Sequence, residues 1–281
     1  MSEKASSLPA VPLTLEGAAV LHQMYRLRWP EWRTRAAIER QYAVSEFAEL
    51  FAALEQVGSS AMYSLYGHKG DLMFVHFRPD FAALKQAESA MAKLRLNDFL
   101  EPTTSYVSVV ELGLYESTGK TYQDLAQKNI APNSDEWNAG IKDVIARQSE
   151  AMKPRLWPEI PKTPYACFYP MDRQRGDQKN WYMLPLAERQ RQMHEHGLIG
   201  RRYAGQVKQI ISGSIGFDDW EWGVDLFADD PAVFKQLIYE MRFDRASADY
   251  AEFGDFAVGL QFSRAELSVL LEGRTPALQT P

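Results

Sequence analysis

The sequence predicts an α+β protein built from two tandem ferredoxin-like units that together form a dimeric α+β barrel-type protomer. Three observations predict it. The segment Asp71 to Lys93 resembles Asp219 to Met241: Leu72-Met73-Phe74-Val75-His76-Phe77 and Trp220 to Phe227 both read as strands, each after a Gly-containing turn at 67–71 or 213–219. Each strand is followed by an amphipathic helix opening at Asp80-Phe81 or Asp230-Pro231, where Asp can accept from free backbone amides and Pro fits the first turn. Each half then closes with a strand rich in Val, Phe and Leu, at Ser105 to Tyr115 and Phe256 to Phe262. Strand, helix, two strands, helix, strand is an antiparallel sheet with both helices on one face.

The elements follow in order. Residues 1–12 are small, polar and Pro-containing and read as a flexible arm. The first ferredoxin-like domain spans 13–116: a strand from Leu13 to Trp29, then a helix over Arg33 to Gln56 with Ile38, Tyr42, Phe47, Leu50, Phe51 and Leu54 at helical spacing, stopped by Gly58. Residues 117–162 form a connector in which Asp135 to Met152 can be helical and Pro154 to Pro161 runs extended. The second domain, 163–265, opens with a strand at Tyr165 to Met171. Its helix starts at Pro185 and ends at Gly197, which puts His196 on the last turn. Residues 266–281 are a tail.

Composition bounds the function. The chain has 281 residues, 46% of them hydrophobic and 24% charged, with no apolar run long enough for a membrane span. The N-terminus lacks the apolar core of a secretory signal, and the single cysteine, Cys167, suits a reducing compartment, so a cytoplasmic location is expected. A net charge of −6 dispersed along the chain argues against a nucleic-acid partner. Arg173, Arg175 and Lys179, with Arg201 and Arg202, are a local basic exception that could hold a carboxylated ligand.

Read alone, the candidate residues have ordinary explanations. A histidine at a helix C-terminus is stabilised by the dipole, and Tyr169 before Pro170 is an amphipathic tyrosine at a core edge. His194 and His196 point to different helix faces and cannot share a metal, and no zinc spacing is present. Haem changes that weighting, because the macrocycle supplies four nitrogens and the protein need add one imidazole.

Tyr165 to Tyr182, Arg189 to Gly216 and Phe217 to Gly259 resemble the C-terminal domain of the coproheme decarboxylases, a branch of the chlorite dismutase superfamily. The resemblance implies His196, in Met193-His194-Glu195-His196-Gly197, as proximal iron ligand, and Gln209, in Tyr203 to Ile210, as the distal residue. Chlorite dismutases proper carry arginine there, whose charge can stabilise hypochlorite; a neutral amide suits slower peroxide chemistry. It also implies Tyr169 as a redox tyrosine whose radical takes hydrogen from a propionate. Arg155, Arg173 and Ser247 are implied as propionate contacts and Met171 as pocket lining. Arg173 departs from the more usual lysine and cannot donate a proton at neutral pH. A partner for the far nitrogen of His196 is expected, with Glu240 and Asp244 both eligible. The implied activity is peroxide-dependent decarboxylation of Fe-coproporphyrin III (coproheme) to haem b, in a homopentamer that meets a ferrochelatase. Alternatives are a chlorite dismutase or general haem peroxidase of the same fold, and a non-catalytic haem carrier.

Overall fold

The computed structural model describes residues 8–277, so residues 1–7 of the expected arm and 278–281 of the expected tail lie outside it. The first half comprises β1 (Thr14–Leu27), α1 (Trp29–Thr34), α2 (Ala37–Gln56), β2 (Ser59–Leu65), β3 (Leu72–Arg78), α3 (Phe81–Met91) and β4 (Leu100–Gly113). Its strands lie in the order β4-β1-β3-β2, all antiparallel. Asp80 caps α3 as its position suggests, accepting from the Ala83 amide at 2.7 Å.

The helix expected over Arg33 to Gln56 is two helices. Arg35 and Ala36 are extended, and the break lets α1 turn Trp32 inward, where its indole donates to the Leu271 carbonyl at 2.9 Å and its ring meets Phe99 edge-on. Of the expected stripe, Phe47, Phe51 and Leu54 are buried, while Ile38 and Tyr42 are exposed. Gly58 is no left-handed stop. A Cβ there would strike the Phe77 carbonyl and the Arg78 side chain, so close approach explains the glycine.

After the first half come α4 (Tyr115–Gln127) and α5 (Asp135–Leu156). Arg155 therefore does not sit in an extended run: α5 passes through Pro154, and the Trp157 amide still closes on the Lys153 carbonyl at 2.9 Å. Docking against β1 explains why the helix outlasts its proline, since Gly17 there lies directly against the Leu156 backbone and has no room for a Cβ.

The second half repeats the first with β5 (Tyr165–Arg173), α6 (Leu186–Arg202), β6 (Lys208–Gly213), β7 (Trp222–Ala228), α7 (Ala232–Met241), the short helix α8 (Arg245–Ala248), β8 (Ala251–Phe253) and β9 (Ala257–Phe262); α9 (Leu267–Leu271) follows. Its order is β6-β7-β5-β9, with β8 beside the end of β5. The halves join edge to edge at β2–β9 and β4–β6, so eight strands close into a ring. Met24, Tyr63, Val75, Tyr106, Phe168 and Phe227 help fill its interior, and helices pack outside.

Helix α6 also differs from expectation. It does not stop at Gly197 but runs to Arg202, and the left-handed glycine is Gly205, with φ +85°. Packing against α4, α7 and α8 overrides the local cost of glycine, about 1 kcal/mol in a helix interior. His196 is thus inside the helix, and the dipole no longer accounts for it.

Candidate functional site

The two halves treat their first helices differently. Helix α2 buries Ala43, Phe47, Phe51 and Leu54 and packs on β2, giving a closed core. Its counterpart α6 buries only Arg189 and Gln192, and its principal contacts are with α4, α7 and α8 rather than with a strand. Residues at helical spacing of three and four, Met193, His196 and Gly200, mark one face of α6.

His196 is held from behind. Its Nδ1 lies 2.9 Å from Asp244 Oδ2. A carboxylate only accepts, so Nδ1 carries the proton and Nε2 is left as the basic nitrogen. Asp244 caps α8: its Oδ1 accepts the Ser247 amide at 2.9 Å and its Oδ2 accepts the Ser247 hydroxyl at 3.1 Å. Burial alone would raise the Asp244 carboxyl, but the hydrogen bonds it accepts from His196 and from Ser247 hold it below its usual range. Glu240, the other eligible partner, is taken by Arg202 and by the Tyr203 hydroxyl.

Strand alternation sets the opposite wall. Cys167, Tyr169, Met171 and Arg173 share the outer face of β5, and in register across β7 to β6, Cys167 aligns with Leu226 and Gln209, and Tyr169 with Val224 and Ile211. Gln209 and Ile211 are both exposed on that face, and the Gln209 amide oxygen reaches towards Gly200 of α6. Tyr169 is 5% exposed, its ring stacked 4.5 Å from Phe256 and tilted against Phe253. Burial, and then Cys167, push the phenol above its usual range against the pull of Arg242 and Arg173, so it is protonated at neutral pH.

The structure therefore brings His196, Ser247 and Arg173 together and sets Tyr169, Met171 and Gln209 on the facing sheet. Arg155 stands apart, exposed on the last turn of α5 and in no ion pair among the described residues. The Ser247 hydroxyl is engaged by Asp244. Sequence reasoning missed Phe253, Phe256 and Arg242, whose guanidinium lies 4.0 Å from the Phe253 ring centre. The run Phe253-Gly254-Asp255-Phe256 hinted at the two phenylalanines, and no local signal marked Arg242.

The Chlorite dismutase family model matches residues 40–262, which contain all of this constellation, and the chain belongs to that family. Among its relatives, a coproheme decarboxylase of Staphylococcus saprophyticus is 44% identical over 257 residues, which cover 90% of this chain and 94% of that protein. A heme-binding protein from Thermus thermophilus superposes with a TM-score of 0.81 at 39% identity, covering 94% of this chain and 99% of the other. A chlorite dismutase variant from Candidatus Nitrospira defluvii shares the fold, with a TM-score of 0.68 at 20% identity over 92% and 95% of the two chains.

Proposed function

We propose that this protein converts coproheme to haem b by peroxide-dependent oxidative decarboxylation of two propionates. The observation that carries the reading is the His196–Asp244 pair on a helix that packs on helices, opposite a sheet face bearing Tyr169, Met171 and Gln209. The 44% identical coproheme decarboxylase supports it. A carboxylate-backed imidazole fits a porphyrin iron, and a neutral distal amide fits peroxide better than chlorite.

Bound coproheme supplies the iron and macrocycle through which peroxide becomes an oxidant. His196 holds the iron through Nε2, with Asp244 fixing its tautomer and raising its basicity. Gln209 orients peroxide through its amide, which can both donate and accept. Tyr169 gives up its phenolic hydrogen and then takes one from the propionate carbon next to the ring. Each propionate, with one hydrogen peroxide and one proton, yields a vinyl group, carbon dioxide and two waters, so two peroxides are consumed. Met171 lines the pocket, and the exposed cations Arg155 and Arg242 suit carboxylates. Hydrogen peroxide as oxidant, a homopentameric assembly, transient contact with a ferrochelatase and a cytoplasmic setting accompany this reading. Among the described residues, no helix is long and apolar enough to cross a membrane.

Titration with coproheme and peroxide tests the reading: the porphyrin mass falls in two steps, each by the mass of one carbon dioxide and two hydrogens. An unchanged mass defeats it in favour of a carrier, and oxygen release from chlorite favours a dismutase. Tyr169→Phe is expected to bind coproheme like the parent and to lose decarboxylation, and decarboxylation at the parent rate would remove Tyr169 from the chemistry.

A further inference from the structure

We infer that Arg173 is a positioning residue for His196 rather than a ligand of substrate carboxylates. This rests on His196 being the iron ligand. Arg173 lies on β5 and is only 7% exposed. Its guanidinium engages three separate elements. Nη1 donates to the Ala246 carbonyl of α8 at 2.5 Å, Nη2 donates to Met193 Sδ of α6 at 3.5 Å, and the group stands 4.7 Å from the ring centre of Trp181, in the turn Trp181–Met183.

Two of those elements carry the two ends of one hydrogen bond. Met193 is three residues before His196 on α6, on the same helical face. Ala246 lies in the four-residue helix α8, whose N-cap Asp244 receives the His196 Nδ1–H. Arg173 is itself anchored, since its own amide donates to Glu221 Oε2 at 2.8 Å. It thus ties imidazole and carboxylate to the same strand and sets their separation. A planar fork can serve a carbonyl, a thioether and a ring face at once, whereas an ammonium cannot. Its inward-directed donors and low exposure leave little of it to meet a ligand.

Resonance Raman of the ferrous protein, loaded in turn with coproheme and haem b, separates the two roles. A carboxylate-backed imidazole is the stronger donor, so a loosened His196–Asp244 bond lowers the iron–histidine stretching frequency. Arg173→Gln is expected to lower it in the same direction as Asp244→Asn, and to weaken both porphyrins by the same factor, on the order of 10-fold. Arg173→Lys should fall between Arg173→Gln and the parent, and it serves alone if the glutamine variant does not fold. An unchanged frequency, with coproheme losing more affinity than haem b, overturns the inference and makes Arg173 a carboxylate ligand. His196→Ala distinguishes the underlying reading: if its iron–histidine band persists, His196 is not the ligand.

Discussion

The imidazoles of His196 and His76 show how two similar residues diverge by surroundings. His76 is fully buried on β3, its Nδ1 bonded to the Ser60 hydroxyl at 2.9 Å. Burial first, then the charges of Arg78 and His22, lower it from 6.5 to about 3. A histidine kept neutral in the fold but free to protonate when unfolded adds stability above pH 6.5 and removes it as pH falls towards about 3. His76→Gln, which can keep a bond to Ser60, should therefore lose less stability than the parent between those limits, as read by urea midpoints across the pH series. Equal losses would mean that His76 is not the titrating group. At this scale the sequence was informative where alternation governs: Tyr169 and Met171 fall on one sheet face by parity alone, whereas Gln209 joins that face only through the register across β7. It could not choose between Glu240 and Asp244 for His196, because a contact across 48 residues depends on how α6 and α8 meet.

Helix ends were the least legible feature. Gly58, Gly197 and Pro154 carry strong local signals to stop, and in each case packing overrides or reassigns them. Gly17 sits where β1 and β4 slip register between Glu16 and Ala19, and it lies against the last turn of α5. Gly17→Ala would drive a Cβ into the Leu156 backbone, which cannot yield as a flexible side chain could. It is expected to cost about 1–3 kcal/mol and to displace the turn bearing Arg155. Thermal unfolding reads the first, and coproheme affinity reads the second. A fully stable variant would show that α5 can dock elsewhere. Gly119 has a similar part on α4, where it lets Gln190 of α6 approach and bond the Tyr115 carbonyl at 2.5 Å. The connector thus braces the helix that carries His196.

For the molecule as a whole, the duplication was readable because each half repeats the same period and caps, but the closure of the two sheets into one ring was not. Edge pairing leaves no periodic trace in either strand. Inside the ring, His22 of the first half and Asp225 of the second meet at 2.9 Å, both essentially inaccessible. Removing one partner strands a buried charge, so His22→Leu should cost about 3–5 kcal/mol, and the His22→Leu, Asp225→Leu pair less than the two single losses combined. A double-mutant cycle from denaturant melts measures it; strict additivity would mean that the pair does not couple the halves.

Ring closure also bears on the order of events during synthesis. Met62 of β2 pairs with Phe262 of β9, so the final seam cannot form until two hundred further residues have been made. Until then β2 presents an unpaired edge, and β5, which carries Tyr169, lacks its β9 neighbour. Contacts of such long sequence separation form slowly. A nascent chain therefore cannot complete the sheet around the Tyr169 strand until β9, near the end of the sequence, has been made.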